Sequence, residues 1–354
     1  MNSFPNKSTR EQNPVAKPVP GRGLISQARN PFWLAPMAGI TDVVFRKLMD
    51  EMGAGVLISE LVSAKGLLHN SEKTRKLICI HPDPGTLVGI QLFGESAEDI
   101  IAAGAIVREA GASFIDINLG CPVKKVVKKG CGAALMRDPA YLESFLDRIR
   151  RGIGLPLTVK MRTGWSEAEL TIHECVKAAG NAGCEWAAIH GRTRAQGYEG
   201  RADWDIIREV KKNAGLPVVG NGDIRDAEAA KKCLEESGVD AVMIGRGAIR
   251  NPWIFRECLG QSGREALSPL GLLSRYRMEL EKVYDTRITL ILLRKFSTRL
   301  VYGYPGAAAF RRRMFQCPSS GEVMKCAADY FCKVADLPPP KFSDSEAFMM
   351  GGHG

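Results

Sequence analysis

Residues 186–247 read WAAIHGRTRAQGYEGRADWDIIREVKKNAGLPVVGNGDIRDAEAAKKCLEESGVDAVMIGRG. Three short β-branched or apolar runs, 186–191, 217–222 and 241–247, each end in small or polar residues. Between them lie the amphipathic stretches DIIREVKKNAG and DAEAAKKCLEESG, each closing on a glycine, a common helix C-terminal signal. Strand, helix and strand in that order imply parallel pairing through a right-handed crossover. The alternation extends back toward the N-terminus, with candidate strands at 32–39, 56–61, 87–94, 114–120 and 157–162. Eight such units fit a closed (β/α)8 TIM barrel better than an open doubly wound sheet, because no GxGxxG follows the first strand.

After Asn251-Pro252 the pattern changes. Residues 259–270 read as a linker, and 271–338 as a smaller all-helical domain. The expected organisation is a disordered arm at 1–30, a barrel at 31–258, the linker, the helical domain and a disordered tail at 339–354. The arm carries four prolines before position 21 and no apolar core of a signal peptide. No run approaches ~18 apolar residues, so no membrane span is expected, and a cytoplasmic location follows. In that compartment the ten cysteines are expected to be reduced. No CxxC occurs and the five histidines are scattered, so no metal site is expected.

The net charge of +10 points to a polyanionic partner, and its distribution is more informative. From Thr286 to Gly321 there is no Asp or Glu, while Arg287, Arg294, Lys295, Arg299, Arg311, Arg312 and Arg313 supply seven positive charges. A solvated basic helix face and a phosphate-binding face both fit this stretch.

Chemistry in a (β/α)8 barrel gathers at the C-terminal strand ends. Here those ends carry Pro36-Met37-Ala38, Glu60, Gln91, Asn118 with Cys121, Lys160 with Arg162, His190 with Arg192, Asn221-Gly222, and Gly245-Arg246-Gly247. A polar group at nearly every strand end is costly inside a core and implies one convergent mouth. The loops GNGDI and IGRGAI follow the seventh and eighth strands, where this fold often binds phosphate through glycine-exposed amides and a cation such as Arg246. Gln91 and Asn118 suit the donors and acceptors of a flat heterocycle, and Lys160 suits negative charge on a reduced isoalloxazine. Met37 either covers a ring face or packs in the core.

Read together, APMAGITDVVFR, QLFG, DINLGCPVKKVVKKGCGAALM, VKMRTGW, IHGRTRAQGYEGRADWD, VGNGDI and MIGRGAIRNPW resemble the tRNA-dihydrouridine synthases in order and spacing, the bacterial B-type branch most of all. The resemblance runs from about residue 32 to 257 and continues weakly through RKFSTRLVYGYPGAAAFRRRM, which resembles that family's RNA-binding helical region. It implies FMN, reduced by NADPH, that saturates the C5–C6 bond of selected uridines in the tRNA D-loop, with position 17 favoured. Hydride would pass from FMN N5 to C6, and Cys121, matching the catalytic acid, would protonate C5. Pro36, Met37, Gln91, Lys160, His190, Asn221, Gly222, Gly245 and Arg246 match FMN contacts, with Ala38 and Asp223 beside them in the same loops. Asn118 and Arg162 match residues lining uracil and flavin, and Arg192 stands with them at a strand end. Lys124 and Lys125, with Arg311, Arg312 and Arg313, are expected on phosphates of the tRNA D-loop and elbow, and Tyr302 and Tyr304 are candidates for base stacking.

A thiol near ~8.5 is mostly protonated at neutral pH, as an acid needs to be, and a nearby lysine cluster would work against that. The lysines after Cys121 are therefore expected to face outward. The sequence departs from the family at Leu119 and Cys131, and leaves open whether Cys131 lies close enough to Cys121 to be oxidised with it. Two other functions stay open at this stage: an FMN barrel acting on free pyrimidines, as dihydroorotate dehydrogenases do, and a non-catalytic RNA-binding barrel. No obligatory protein partner is indicated.

Overall fold

A computed structural model of the chain describes residues 23–335, 337, 338 and 340. Eight parallel strands form the sheet: β1 (Phe32–Leu34), β2 (Val56–Ser63), β3 (Leu87–Phe93), β4 (Phe114–Leu119), β5 (Leu157–Arg162), β6 (Ala187–His190), β7 (Val218–Asn221) and β8 (Ala241–Ile244). Ladders run in sequence from β2 to β8, and β8 returns to β1. Between β1 and β2 the Gly55 N–H donates to the Phe32 carbonyl (2.7 Å) and completes the ring. The expected (β/α)8 barrel is therefore present. A hairpin of Gly164–Ser166 and Glu169–Leu170, not anticipated from the sequence, follows β5.

The outer helices include α1 (Val43–Glu51), α2 (Ala97–Glu109), α3 (Pro139–Gly152), α4 (Ile172–Asn181), α5 (Trp204–Asn213) and α6 (Ala227–Ser237). Their starts are written locally. Asp42, Asp138, Asp203 and Asp226 each accept backbone N–H groups at an N-cap, and Pro139 opens α3.

Inside the ring, strand alternation sends every second side chain inward. The lower half is filled by Leu24, Trp33, Val56, Ile58, Phe114, Trp186 and Ala241. Trp186 meets Trp33 and Phe114 edge-on, with ring centroids 4.9 and 4.8 Å apart. Phe114 also explains Gly89 on the neighbouring strand, where a Cβ would come within 2.2 Å of the Phe114 ring. Outward-facing residues such as Val88, Ile90, Leu92, Ile115 and Ile117 pack under the helices in a separate core.

Residues 23–30 depart from the expected unstructured arm. Leu24 is only 7% exposed and joins the barrel interior. Its N–H donates to Glu185 (3.0 Å), and Arg29 pairs with Asp50 (2.6 Å). Composition misses this because a few long-range contacts, not local apolarity, order the segment. Residues 1–22 and most of the expected tail lie outside the described residues.

Four helices follow the barrel: α7 (Pro269–Val283), α8 (Thr286–Leu300), α9 (Ala307–Gln316) and α10 (Ser320–Lys333). The first two, α7 and α8, dock on α1 and on the turn after β1. Lys47 pairs with Glu279 (2.6 Å) and Arg275 with Glu51 (2.7 Å), and Phe296 packs edge-on against Phe45. Lys295 donates to the Gly39 carbonyl (2.5 Å), while Glu60 accepts the Gly39 N–H from the other side. Among the described residues no helix is long and apolar enough to cross a membrane.

Removing the aromatic plug tests this account. Phe114→Ala is expected to cost about 3–5 kcal/mol, read as a lower urea midpoint. Gly89→Ala is expected to destabilise the wild-type barrel but to be relieved in the Phe114→Ala background, a coupling that additive free energies would contradict.

Candidate active site

Above the aromatic layer the inward residues turn polar. Strand register sets Gln91 against Asp116, Asp116 against Thr158, Asn118 against Lys160, and His190 against Asn221. A cavity of about 480 Å3 opens at these strand ends. Its wall includes Pro36, Met37 and Ala38 from the turn after β1, then Gln91, Asn118, Cys121, Lys160, Arg162 and His190. Asn221, Gly222, Asp223, Gly245 and Arg246 complete it from the last two loops. Every residue expected from the sequence to contact cofactor thus meets at one mouth. Glu60 does not line it; its carboxylate is turned to the Gly39 amide.

The polar groups are tied together. Asp116 is fully buried and accepts from Thr158 Oγ1 (2.6 Å) and Gln91 Nε2 (2.7 Å). Asn118 Nδ2 donates to Gln91 Oε1 (2.9 Å), and Asn118 Oδ1 accepts the Cys121 N–H (2.9 Å). Lys160 Nζ donates to Asn221 Oδ1 (2.9 Å), and Asn221 Nδ2 to the Met243 carbonyl (2.8 Å). Asp223 sits at φ +53°, a left-handed conformation that Asp tolerates better than most residues. From there its carboxylate takes both Arg192 (2.8 Å) and Arg246 (3.2 Å).

Arg192 was expected at the substrate, but it is 2% exposed and does not line the cavity. Its guanidinium is spent on Asp223 and on the carbonyls of Glu199 and Gly200, so it braces the wall from behind. Arg162 does line the cavity, with Nε on the Gly120 carbonyl (2.8 Å) and Nη1 on those of Thr193 and Gly197.

Burial and like charge shape the electrostatics. Burial, then Arg162, pulls Lys160 down to about 8 against the help of Asp116. Burial pulls Arg162 to about 10. Burial, reinforced by Arg162, Lys160, Arg192 and Arg246, holds His190 well below its usual range, so it is a neutral imidazole at pH 7. Burial raises Asp116 to about 6. The Cys121 thiol is raised by burial, partly offset by the Val123 amide and Arg162, which keeps it protonated.

Lys124, Lys125, Lys128 and Lys129 are exposed on the short helix and turn beyond Cys121, as expected. Cys131 is buried, with its thiol pushed up to about 11. In the helical region the basic stretch divides. Arg294 donates to the Cys317 carbonyl, Lys295 holds Gly39, and Arg299 is partly buried; Arg287, Arg312 and Arg313 stay exposed, Arg313 beside Asp329 (3.4 Å). Tyr304, a stacking candidate by sequence, is buried and accepts from Arg264; Tyr302 is flanked by Arg250 and Arg311. Reading only strand ends missed Asp116, which shares the inward face of Asn118 at a spacing of two, and Tyr198, which lines the mouth between Arg162 and Arg246.

The lysine makes a pH prediction. The unfolded chain keeps the Lys160 proton up to about 10.5, whereas the folded chain releases it near 8. Between these values the unfolded state binds more protons, so this site's contribution to stability rises with pH. The stability difference between wild type and Lys160→Met, measured by urea unfolding, is expected to shift toward wild type by on the order of 2 kcal/mol from pH 7.5 to 10.5. A flat difference would contradict the burial of this ammonium.

Comparison with known proteins agrees with this architecture. The family model for dihydrouridine synthase (Dus) matches residues 33–334. The chain is 41% identical over 218 residues to tRNA-dihydrouridine synthase B of Proteus vulgaris, covering 62% of this chain and 67% of that protein. It is 43% identical over 214 residues to a probable tRNA-dihydrouridine synthase of Rhodobacter capsulatus (60% and 66% covered). It is 44% identical over 216 residues to the B protein of Pseudomonas putida (61% and 64% covered). The matched stretches thus span about two thirds of these relatives. Among solved structures, a 2-naphthoyl-CoA reductase complex shares the fold with a TM-score of 0.53 at 13% identity (66% and 50% covered). Histamine dehydrogenase from Rhizobium sp. 4-9 does so with a TM-score of 0.50 at 14% identity (76% and 49% covered). By the extent of the family match, the chain belongs to the dihydrouridine synthase family.

Proposed function

We propose that this chain reduces the C5–C6 bond of uridine in the D-loop of tRNA to 5,6-dihydrouridine in the cytoplasm, with position 17 the favoured site. One observation carries the reading: a thiol kept protonated by burial shares the wall of one cavity with Lys160, Arg162 and Arg246. Family membership and the relatives named above support it.

The site suits FMN. The cavity is large enough for a flat heterocycle. Five cations line it, Lys160, Arg162, Arg225, Arg246 and Arg250; Arg162 disfavours the charge on Lys160 and Arg246 that on Arg162, while the one carboxylate among the lining residues, Asp223, is committed to Arg192 and Arg246. An anionic guest relieves that repulsion. Lys160, Gln91, Asn221 and the turn carrying Met37 would hold the ring, and the Gly222 and Gly245 loops with Arg246 the phosphate. When bound, the flavin supplies the hydride equivalent that pyrimidine C6 takes up, and NADPH is the proposed source of its electrons.

The chain's own groups do the rest. Cys121 gives its proton to C5, a role that needs a thiol and not a thiolate. Arg162, fixed by three backbone carbonyls, faces the charge that develops at the uracil carbonyls. A stacked uridine cannot reach this mouth, so it must be flipped out at a cost of a few kcal/mol. Backbone contacts from Lys124, Lys125, Arg311, Arg312 and Arg313 offset that cost.

Cys121→Ala is expected to retain the bound flavin spectrum and its reduction by NADPH, and to lower dihydrouridine formation by at least about 100-fold. Normal product formation by this variant would remove Cys121 from the mechanism. Replacing Arg311, Arg312 and Arg313 with Gln is expected to weaken tRNA binding and flatten its salt dependence. Replacing the exposed Arg312 alone should reduce the slope by about 1. An unchanged slope would mark a merely solvated helix face.

A further inference from the structure

One hydrogen-bonded chain links the buried floor of the cavity to the backbone of Cys121. Its first member, Asp116, is shut off from solvent. From there the chain runs through Gln91 Nε2 (2.7 Å), from Asn118 Nδ2 to Gln91 Oε1 (2.9 Å), and ends where Asn118 Oδ1 accepts the N–H groups of Cys121 (2.9 Å) and Gly120 (3.3 Å). The two ends differ in kind. A carboxylate only accepts, and a backbone N–H only donates. Two side-chain amides between such ends can satisfy every link in one orientation alone. Reversing either amide sets donor against donor or acceptor against acceptor, which is expensive in a dry site.

We propose that Asp116 is a positioning residue: its carboxylate sets the direction of the Gln91–Asn118 chain, and thereby holds the Gly120–Cys121 backbone and the Cys121 thiol in the cavity wall. The carboxyl is ionised at neutral pH, its raised value of about 6 still leaving it an acceptor, and Thr158 Oγ1 (2.6 Å) satisfies its second oxygen. An amide at position 116 presents either a donor or an acceptor to Gln91, so the chain loses its fixed direction. Asn118 then no longer reliably accepts from Cys121, and the thiol gains solvent and reactivity. The same substitution leaves the shape of the floor unchanged.

The proposal makes Cys121 a better acid on the reading given above, yet its test is independent of that reading. The rate of Cys121 alkylation by iodoacetamide is followed by peptide mass spectrometry in the purified full-length protein, with thermal unfolding as the check on folding. Asp116→Asn is expected to label Cys121 about tenfold faster than wild type, the change expected for losing one buried hydrogen bond. Adding Gln91→Glu restores a carboxylate one link further on. That carboxylate accepts both from the amide introduced at position 116 and from Asn118, and is expected to return the rate to within about twofold of wild type. Thr158→Val, which removes a donor but leaves the charge, should label like wild type. If Asp116→Asn does not fold, Gln91→Met cuts the chain beyond the carboxyl and is expected to give the same acceleration. An unchanged rate in the folded single variant, or a double variant as fast as the single one, overturns the proposal. Because labelling needs no tRNA and no turnover, these outcomes leave the acid role of Cys121 to be decided by dihydrouridine formation alone.

Discussion

The barrel depends on its aromatic plug. Trp33, Phe114 and Trp186 fill the lower interior with edge-on contacts, and the rest of the inside follows from that filling. The neighbouring strand must carry Gly89, since Phe114 occupies the space of a Cβ there. With the floor sealed by rings, inward groups higher on the same strands have water on one side only. That is why a carboxyl at 116, two residues above Phe114, is dry while Asn118, two residues higher again, reaches the mouth.

A cavity built this way is positive by necessity of its wall. Lys160, Arg162 and Arg246 share it, and burial lowers each of them. The thiol in the same wall responds oppositely. Burial raises it more than Arg162 lowers it, so the thiol keeps its proton through the same desolvation that weakens the cations. The exposed lysines beyond it do not undo this, because they point into solvent, where their field is screened.

The helical region braces the wall of the cavity. Lys295 on α8 and Glu60 on β2 hold opposite sides of the Gly39 peptide, three residues after Pro36 in the turn that forms the cavity's first wall. Several charges that composition offers to a polyanion are consumed in this docking, and the outward basic face is correspondingly smaller. What faces solvent, chiefly Arg312 with Arg287 and Arg313, is a selection that only packing makes.

The sequence by itself determined the eight-unit barrel, the helical region after it and the cavity residues at the strand ends, because these depend on local periodicity, caps and turns. Cys121, Lys160, His190 and Arg246 were legible for that reason. Asp116 was legible in principle, by its spacing of two from Asn118, but its importance was not, because that lies in Gln91 and Thr158 on other strands. The ordering of residues 23–30, the retreat of Arg192 behind Asp223, the burial of Tyr304 and the inward turn of Lys295 were decided only by the tertiary structure. Each depends on a partner remote in sequence, and whether a charged or aromatic side chain meets solvent or a buried partner is a property of what folds against it.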